Sequence, residues 1–64
     1  MNEAAGPGGG AALEPGQWVR NPRAPDWGVG QVQSVVGARV TVNFEARGKV
    51  LINTRVVQLE TVDP

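Results

Sequence analysis

Apolar and polar residues alternate most regularly between residues 39 and 44, which read Arg-Val-Thr-Val-Asn-Phe. Strict alternation over this length predicts a β-strand with one buried face, because successive side chains of a strand point to opposite faces of its sheet. We expect Val40, Val42 and Phe44 to face the core and the three polar residues to face outward. This is the most clearly predicted strand in the chain.

The stretch from 27 to 36, Trp-Gly-Val-Gly-Gln-Val-Gln-Ser-Val-Val, is rich in β-branched residues and predicts a strand bent near its start. Glycine has no side chain to pack, so Gly28 and Gly30 mark the expected structural bend. Gly30 is predicted to be a bulge or a point of close backbone approach. Gly37-Ala38 then predicts a two-residue hairpin. A strand bent in this way can curl across a small barrel and pair in two sheets.

A short first strand is predicted at residues 17–21. Alternation places Val19 on one face of this strand and both Trp18 and Arg20 on the other. Residues 21–26 follow and contain two prolines, which lack the N–H group that a strand ladder needs. We therefore expect a stiff loop between the first strand and the bent one.

The fourth predicted strand, residues 49–53, contains three consecutive apolar residues, so alternation alone leaves its inward face open. Either Leu51 faces the core, or the pair Val50 and Ile52 does. We favour Leu51. In that arrangement Val50 and Ile52 form an outward apolar edge, which is suited to strand addition or self-association.

The remaining segments complete the predicted fold. Residues 45–48 are expected to form a hairpin turn, residues 54–57 a single 3₁₀ turn, and residues 58–62 a fifth strand with Leu59 inward. Short strands, tight turns and the lack of helical periodicity are typical of an all-β protein. We predict a small five-stranded antiparallel barrel of the SH3 or Tudor type over residues 15–62.

Composition divides the chain into two parts. Residues 1–14 are rich in Gly, Ala and Pro and have almost nothing to bury, so we predict a disordered N-terminal tail. The 64 residues allow one domain with a small core. The formal net charge is zero, but the part after residue 14 carries six basic and four acidic residues. The predicted domain is therefore mildly basic.

Catalytic chemistry has little support in the residue content. The chain has no cysteine and no histidine, which leaves no thiolate metal site, no disulfide, no imidazole base and no catalytic triad of the usual kinds. Gly28 and Gly30 do not form a phosphate loop, since both of their flanks are strand-like and no helix follows. We expect a non-enzyme that holds neither a metal nor a cofactor.

The chain has no membrane-spanning apolar run and no secretory signal, so we expect it in the cytoplasm.

The candidate partner-binding residues are Trp18, Arg20, Arg23 and Trp27. Trp18 and Arg20 share the outward face, where they could form a cation–π pair or a stacking platform. Trp27 stands at the mouth of the bent strand, and it either closes one end of the barrel or anchors a partner. The arginines could also contact phosphates, although they are spread over several turns and strand faces.

Five sequence blocks in order resemble the Tudor-like C-terminal module of UvrD/PcrA-type DNA helicases. They are Gly16-x-x-Val19-Arg20, Trp27-Gly28-Val29-Gly30-Gln31-Val32, Val40-Thr41-Val42-x-Phe44-Glu45, Gly48-Lys49-x-Leu51 and Leu59-Glu60. The chain looks still more similar to a family of small, stand-alone bacterial proteins of unknown function. That family is built on Val-Arg-x-Pro, matched at residues 19–22, and on Trp-Gly-x-Gly-Gln-Val-Gln-Ser, matched at residues 27–34.

The resemblance to the helicase module implies a role in docking on RNA polymerase or on a DNA-repair or transcription partner, with some contact to nucleic acid. The bent strand with its glycine also resembles the KOW motif, which implies the alternative function of a weak nucleic-acid-binding domain. We expect a monomer that binds a protein partner and does not associate with membranes.

Overall fold

The computed structural model describes residues 13–63, and residues 1–12 of the predicted 1–14 tail lie outside them. Five antiparallel strands form one sheet in the order β4-β3-β2-β1-β5. The strands are β1 (Trp18–Arg20), β2 (Val29–Val36), β3 (Arg39–Phe44), β4 (Gly48–Asn53) and β5 (Glu60–Thr61), and a short 3₁₀ helix spans Pro25–Trp27. The all-β prediction is confirmed. In the described part of the chain β4 and β5 are the two ends of the sheet, so what the structure shows is a sheet rather than a closed barrel.

Strand β2 is the central strand and pairs with two neighbours. Its first three residues pair with β1, and the strand as a whole pairs with β3. Register changes once along the β2–β3 pair, because Val32 lies opposite Val42 whereas Ser34 lies opposite Thr41, which leaves Gln33 as an inserted residue. The insertion is a β-bulge. Because of it, the inward side chains of β2 belong to even-numbered residues before Gln33 and to odd-numbered residues after it.

Gly30 is therefore not the site of the bulge, which lies three residues later. Instead it is buried and pairs in regular register with Val19 and Phe44. A Cβ atom on Gly30 would lie 2.5 Å from Val42 Cγ1 and 2.7 Å from Phe44 Cδ1, both of which are closer than van der Waals contact allows. Glycine is required here because core side chains occupy the space of a Cβ atom. The alternative expectation for Gly30, a close approach, is the one that the structure confirms.

Gly28 serves a different purpose, at the end of the 3₁₀ helix. Its φ of 79° and ψ of −166° lie in a region that only glycine populates readily. The chain can therefore turn at Gly28 from the 3₁₀ helix into β2. The hairpin between β2 and β3 has a positive φ at Gly37, as its sequence predicted.

The core consists of apolar side chains from every part of the described chain. The least exposed are Val19, Val32, Val40, Val42 and Phe44, and Leu13, Ile52 and Leu59 complete the buried cluster. The predicted inward set of β3 is confirmed, as are the inward positions of Val19 and Leu59. Leu13 was expected to belong to the tail, yet it is only 8% exposed. The packed region therefore includes residue 13, which the predicted domain boundary at residue 15 had left out.

Strand β4 faces the opposite way from our prediction. Leu51 is 64% exposed, whereas Ile52 is 4% exposed and Val50 packs against the core. Pairing explains the difference, because Ile52 and Val50 lie opposite the inward residues of β3 and Leu51 lies opposite the outward Thr41. The predicted outward apolar edge of Val50 and Ile52 was wrong.

The loops also differ in detail from the prediction. Residues 54–57 form a hydrogen-bonded turn, in which the N–H groups of Val56 and Val57 donate to the carbonyl oxygen of Asn53 at 3.0 and 2.9 Å. The 3₁₀ helix lies instead in the proline-containing loop, where Pro25 occupies its first turn. Proline suits that position because its fixed φ matches a helix start and its missing N–H would have no partner there.

Candidate partner-binding site

Strand β1 presents Trp18 and Arg20 on the outer face of the sheet, as the alternation predicted. Val19, which lies between them, is fully buried, whereas Trp18 is half-buried and Arg20 is exposed. Trp18 lies opposite Gln31 on β2, and Arg20 lies opposite Val29. These two pairs form the centre of the candidate site.

A row of outward side chains crosses four strands from Trp18. The strand register places Trp18, Gln31, Asn43 and Lys49 next to one another in this order, from β1 to β4. A shallow cleft follows the start of the row and is lined by Trp18, Gln31, Asn43 and the neighbouring Val29, together with Phe44, Glu45 and Gly48. We call it the sheet-face cleft. Its lining combines two aromatic residues with two side-chain amides and one carboxylate, so it can bind a partner through both apolar and polar contacts.

A second cleft lies between β1, the proline-containing loop and the start of β2. It is lined by Arg20, Asn21, Pro22, Pro25, Gly28 and Val29, and we call it the proline cleft. Val29 lines both clefts, which makes them neighbours on one surface. Arg20 Nε donates a hydrogen bond to Glu60 Oε1 of β5 at 2.8 Å. Because both side chains are about half exposed, water screens this ion pair and it adds little to stability.

Asn21 organises the loop that forms one wall of the proline cleft. Its Oδ1 accepts a hydrogen bond from the backbone N–H of Arg23 at 2.9 Å, and its carbonyl oxygen accepts one from the N–H of Ala24 at 2.9 Å. A side-chain oxygen that binds the backbone two residues later forms an Asx turn, which is a common way to begin a tight loop. The Arg23 side chain is exposed on this loop and lines neither cleft.

Trp27 has the contacts of a lid over one end of the core. Its ring meets Phe44 edge to face, with the ring centroids 5.1 Å apart, and it packs against the buried cluster. The Arg47 guanidinium lies 5.5 Å from the Trp27 ring centroid, which is a cation–π distance. The described cation–π contact thus joins Trp27 and Arg47. Arg20, for which a cation–π pair with Trp18 was one of two alternatives, is hydrogen-bonded to Glu60.

The structure therefore brings two of the four candidate residues to one surface. Trp18 and Arg20 border the two adjacent clefts, whereas Arg23 and Trp27 lie outside them. Sequence reasoning missed Val29, which separates the clefts, and Asn21, which shapes one of them. Residue pairing between β1 and β2 would have identified Val29, but a single sequence does not reveal that register.

Two other kinds of site are absent from residues 13–63. No group of three or more acidic side chains in this part of the chain is arranged to hold a metal ion. No helix described there is long and apolar enough to cross a membrane.

Comparison with known protein families gives a match over most of the chain. A family model with the description "Protein of unknown function (DUF3553)" matches residues 13–62, which is nearly the whole described region. The match begins at Leu13, the first residue of the buried core. No curated protein and no solved structure matches the chain.

Proposed function

The chain belongs to the DUF3553 family, and from that premise we propose that it is a non-catalytic protein-interaction module. The partner docks on the outer surface formed by Trp18, Arg20 and Val29, which lies over the two clefts. This proposal takes its partner class from the resemblance to the helicase module: RNA polymerase, or a factor of transcription or DNA repair.

The observation that carries the proposal is the position of Trp18. Trp18 lies on the outer face of a short strand, is half-buried and lines the sheet-face cleft, and it does not contribute to the buried core. Trp and Arg are the residue types most enriched among those that dominate binding energy at protein interfaces. Trp18 and Arg20 stand two residues apart on the same face, with Val29 between their clefts.

The finer form of the fold that we propose is an SH3- or Tudor-like barrel. Its support is the strand order, which makes β1 the neighbour of both β2 and β5. Further support is the long strand β2, which is shared between β1 and β3 and bulges at Gln33. Small barrels of this kind need a bent strand that pairs on both sides.

A second candidate function is weak binding of nucleic acid, as the KOW resemblance implies. The observation that favours it is the charge on the outer face of β3 and β4. The outward residues there include Arg39 and Lys49, which could contact phosphates, and none of them is a carboxylate. Two cations give only a few phosphate contacts, so such binding would be weak and would fall steeply with salt.

Affinity capture distinguishes the two functions. The full chain is immobilised and exposed to cell lysate, with and without nuclease treatment, and the retained proteins are washed at low and at moderate salt. We expect a defined protein to remain bound after nuclease treatment and after a wash at about 200 mM salt, because an apolar docking contact responds little to ionic strength. Loss of every retained protein on nuclease treatment would instead favour the nucleic-acid function.

A further inference from the structure

The proline cleft contains a buried polar group that has no partner within residues 13–63. Asn21 is 4% exposed, and its Oδ1 is used by the N–H of Arg23. Because that N–H requires an acceptor, the oxygen and nitrogen of the amide are not interchangeable. The Nδ2 amino group, with its two donors, makes no hydrogen bond to any described residue. Buried donors are nearly always satisfied, so this one needs an acceptor from outside the described residues, either water or a ligand.

Arg20 adds further donors to the same cleft. Its guanidinium forms an ion pair with Glu60 through Nε, but its two terminal amino groups make no hydrogen bond to any of the described residues. These groups form the fork that matches the two oxygens of a carboxylate. Arg20 thus keeps most of its donors available while Glu60 holds its side chain in place.

The rest of the cleft wall is apolar or lacks a side chain. Pro22, Pro25 and Val29 supply apolar surface, Gly28 adds none, and no carboxylate lines the cleft. The side chains of the cleft therefore offer only donors and apolar contacts. A ligand that fits must bring acceptor oxygens, and the cationic fork favours a negative charge on them.

We propose that the proline cleft binds the carboxylate of an aspartate or glutamate side chain on the partner protein. This assignment rests on the proposed function and names the chemistry that the docking surface recognises. The carboxylate accepts hydrogen bonds from the terminal amino groups of Arg20 and from Asn21 Nδ2. The aliphatic part of the partner residue packs against Pro22, Pro25 and Val29.

The test is a titration of the full chain, labelled with ¹⁵N, with N-acetyl-glutamate amide, whose only charge is the side-chain carboxylate. The matched neutral probe is N-acetyl-glutamine amide, which has nearly the same shape. We expect saturable shifts of the Asn21 side-chain amide and of the Gly28 and Val29 backbone amides with the acidic probe. The neutral probe should bind about tenfold more weakly, since a hydrogen bond to a charged group is markedly stronger than one to a neutral group.

Three variants sharpen the test. Arg20→Gln should weaken binding of the acidic probe at least fivefold, whereas Arg55→Gln, which removes an exposed arginine from the turn after β4, should leave it unchanged. Glu60→Gln should strengthen binding, because it removes the carboxylate that competes for Arg20. Equal binding of the two probes, equal effects of the two arginine variants, or tighter binding of inorganic phosphate than of the acidic probe would each overturn the assignment.

A failure of the carboxylate assignment can be distinguished from a failure of the proposed docking function. If the acidic probe fails to bind while substitution of Trp18 and Arg20 still releases the captured protein, the carboxylate assignment is wrong and the docking surface stands. If the probe binds as described and those substitutions leave capture intact, the cleft recognises carboxylates but the docking surface lies elsewhere.

Discussion

Gly30→Val is expected to leave the domain unfolded at 25 °C. A Cβ atom at residue 30 already lies 2.5 Å from Val42 Cγ1 and 3.0 Å or less from two carbons of the Phe44 ring. Both neighbours are almost fully buried, so they cannot move aside into solvent. Overpacking a core typically costs about 1 to 3 kcal/mol and occasionally more. Valine adds three carbons where not even a Cβ atom fits, so we expect a cost at or above the upper end of that range. Such a cost is comparable to the few kcal/mol of total stability expected for a domain this small.

Gly28→Ala is the matched comparison for that variant. It should destabilise by about 1 to 3 kcal/mol, since alanine is strained at a φ of 79° while the nearest atoms belong to the flexible Glu45 side chain. Thermal unfolding followed by circular dichroism measures both variants. A Gly30→Val protein that melts within a few degrees of the parent, or that is more stable than Gly28→Ala, would contradict the packing described around Gly30.

Phe44→Ala is expected to destabilise by roughly 3 to 5 kcal/mol, the range typical of removing a buried phenylalanine ring. The ring is 2% exposed and contacts the edge of Trp27, so its removal opens a cavity and leaves Trp27 without its packing partner. Urea unfolding followed by tryptophan fluorescence measures the effect. Val36→Ala is the control, because Val36 is 70% exposed and should change stability by less than about 0.5 kcal/mol. Similar unfolding midpoints for the two variants would mean that the inward face of β3 is wrongly assigned.

The local pattern of apolar and polar residues was sufficient to predict which side chains are buried, provided that one strand face is buried and the alternation is unbroken. Residues 40, 42 and 44 follow a period of two, so their burial could be predicted from the sequence alone. On β4 three apolar residues occur in succession, and the local pattern fits either face equally well. Only the pairing with β3 determines which face of β4 is buried, and that pairing places Ile52 opposite the inward Val40.

The role of Gly30 shows a second limit. The sequence indicates that a glycine in a strand is unusual, but it does not distinguish a bulge from a close approach. Val42 and Phe44, whose side chains exclude a Cβ atom there, are more than ten residues away along the chain. The bulge at Gln33 carries no glycine and left no signal in the sequence.

The candidate site was predictable only in part, for a similar reason. Alternation along β1 was enough to place Trp18 and Arg20 outward together. Trp27 was open to two interpretations because a tryptophan beside a turn can either close a core or face a partner, and its contact with Phe44 is a tertiary one. The Asn21 Nδ2 group, which has no partner among residues 13–63, could not be foreseen, since its state depends on how the loop turns the Asn21 amide toward the Arg23 backbone N–H.

The docking surface at Trp18 and Arg20 is the central claim, and the affinity of the captured protein for a double variant tests it most directly. Trp18→Ala combined with Arg20→Gln should raise the dissociation constant at least about thirtyfold, which corresponds to about 2 kcal/mol and is typical of dominant interface residues. Leu51→Ala combined with Arg39→Gln removes similar side chains from the far part of the outer face and should leave the affinity unchanged. Both double variants should melt within a few degrees of the parent, because none of the four residues belongs to the buried core. An unchanged affinity in the Trp18 and Arg20 variant, or a loss of affinity only in proportion to unfolding, would contradict the account.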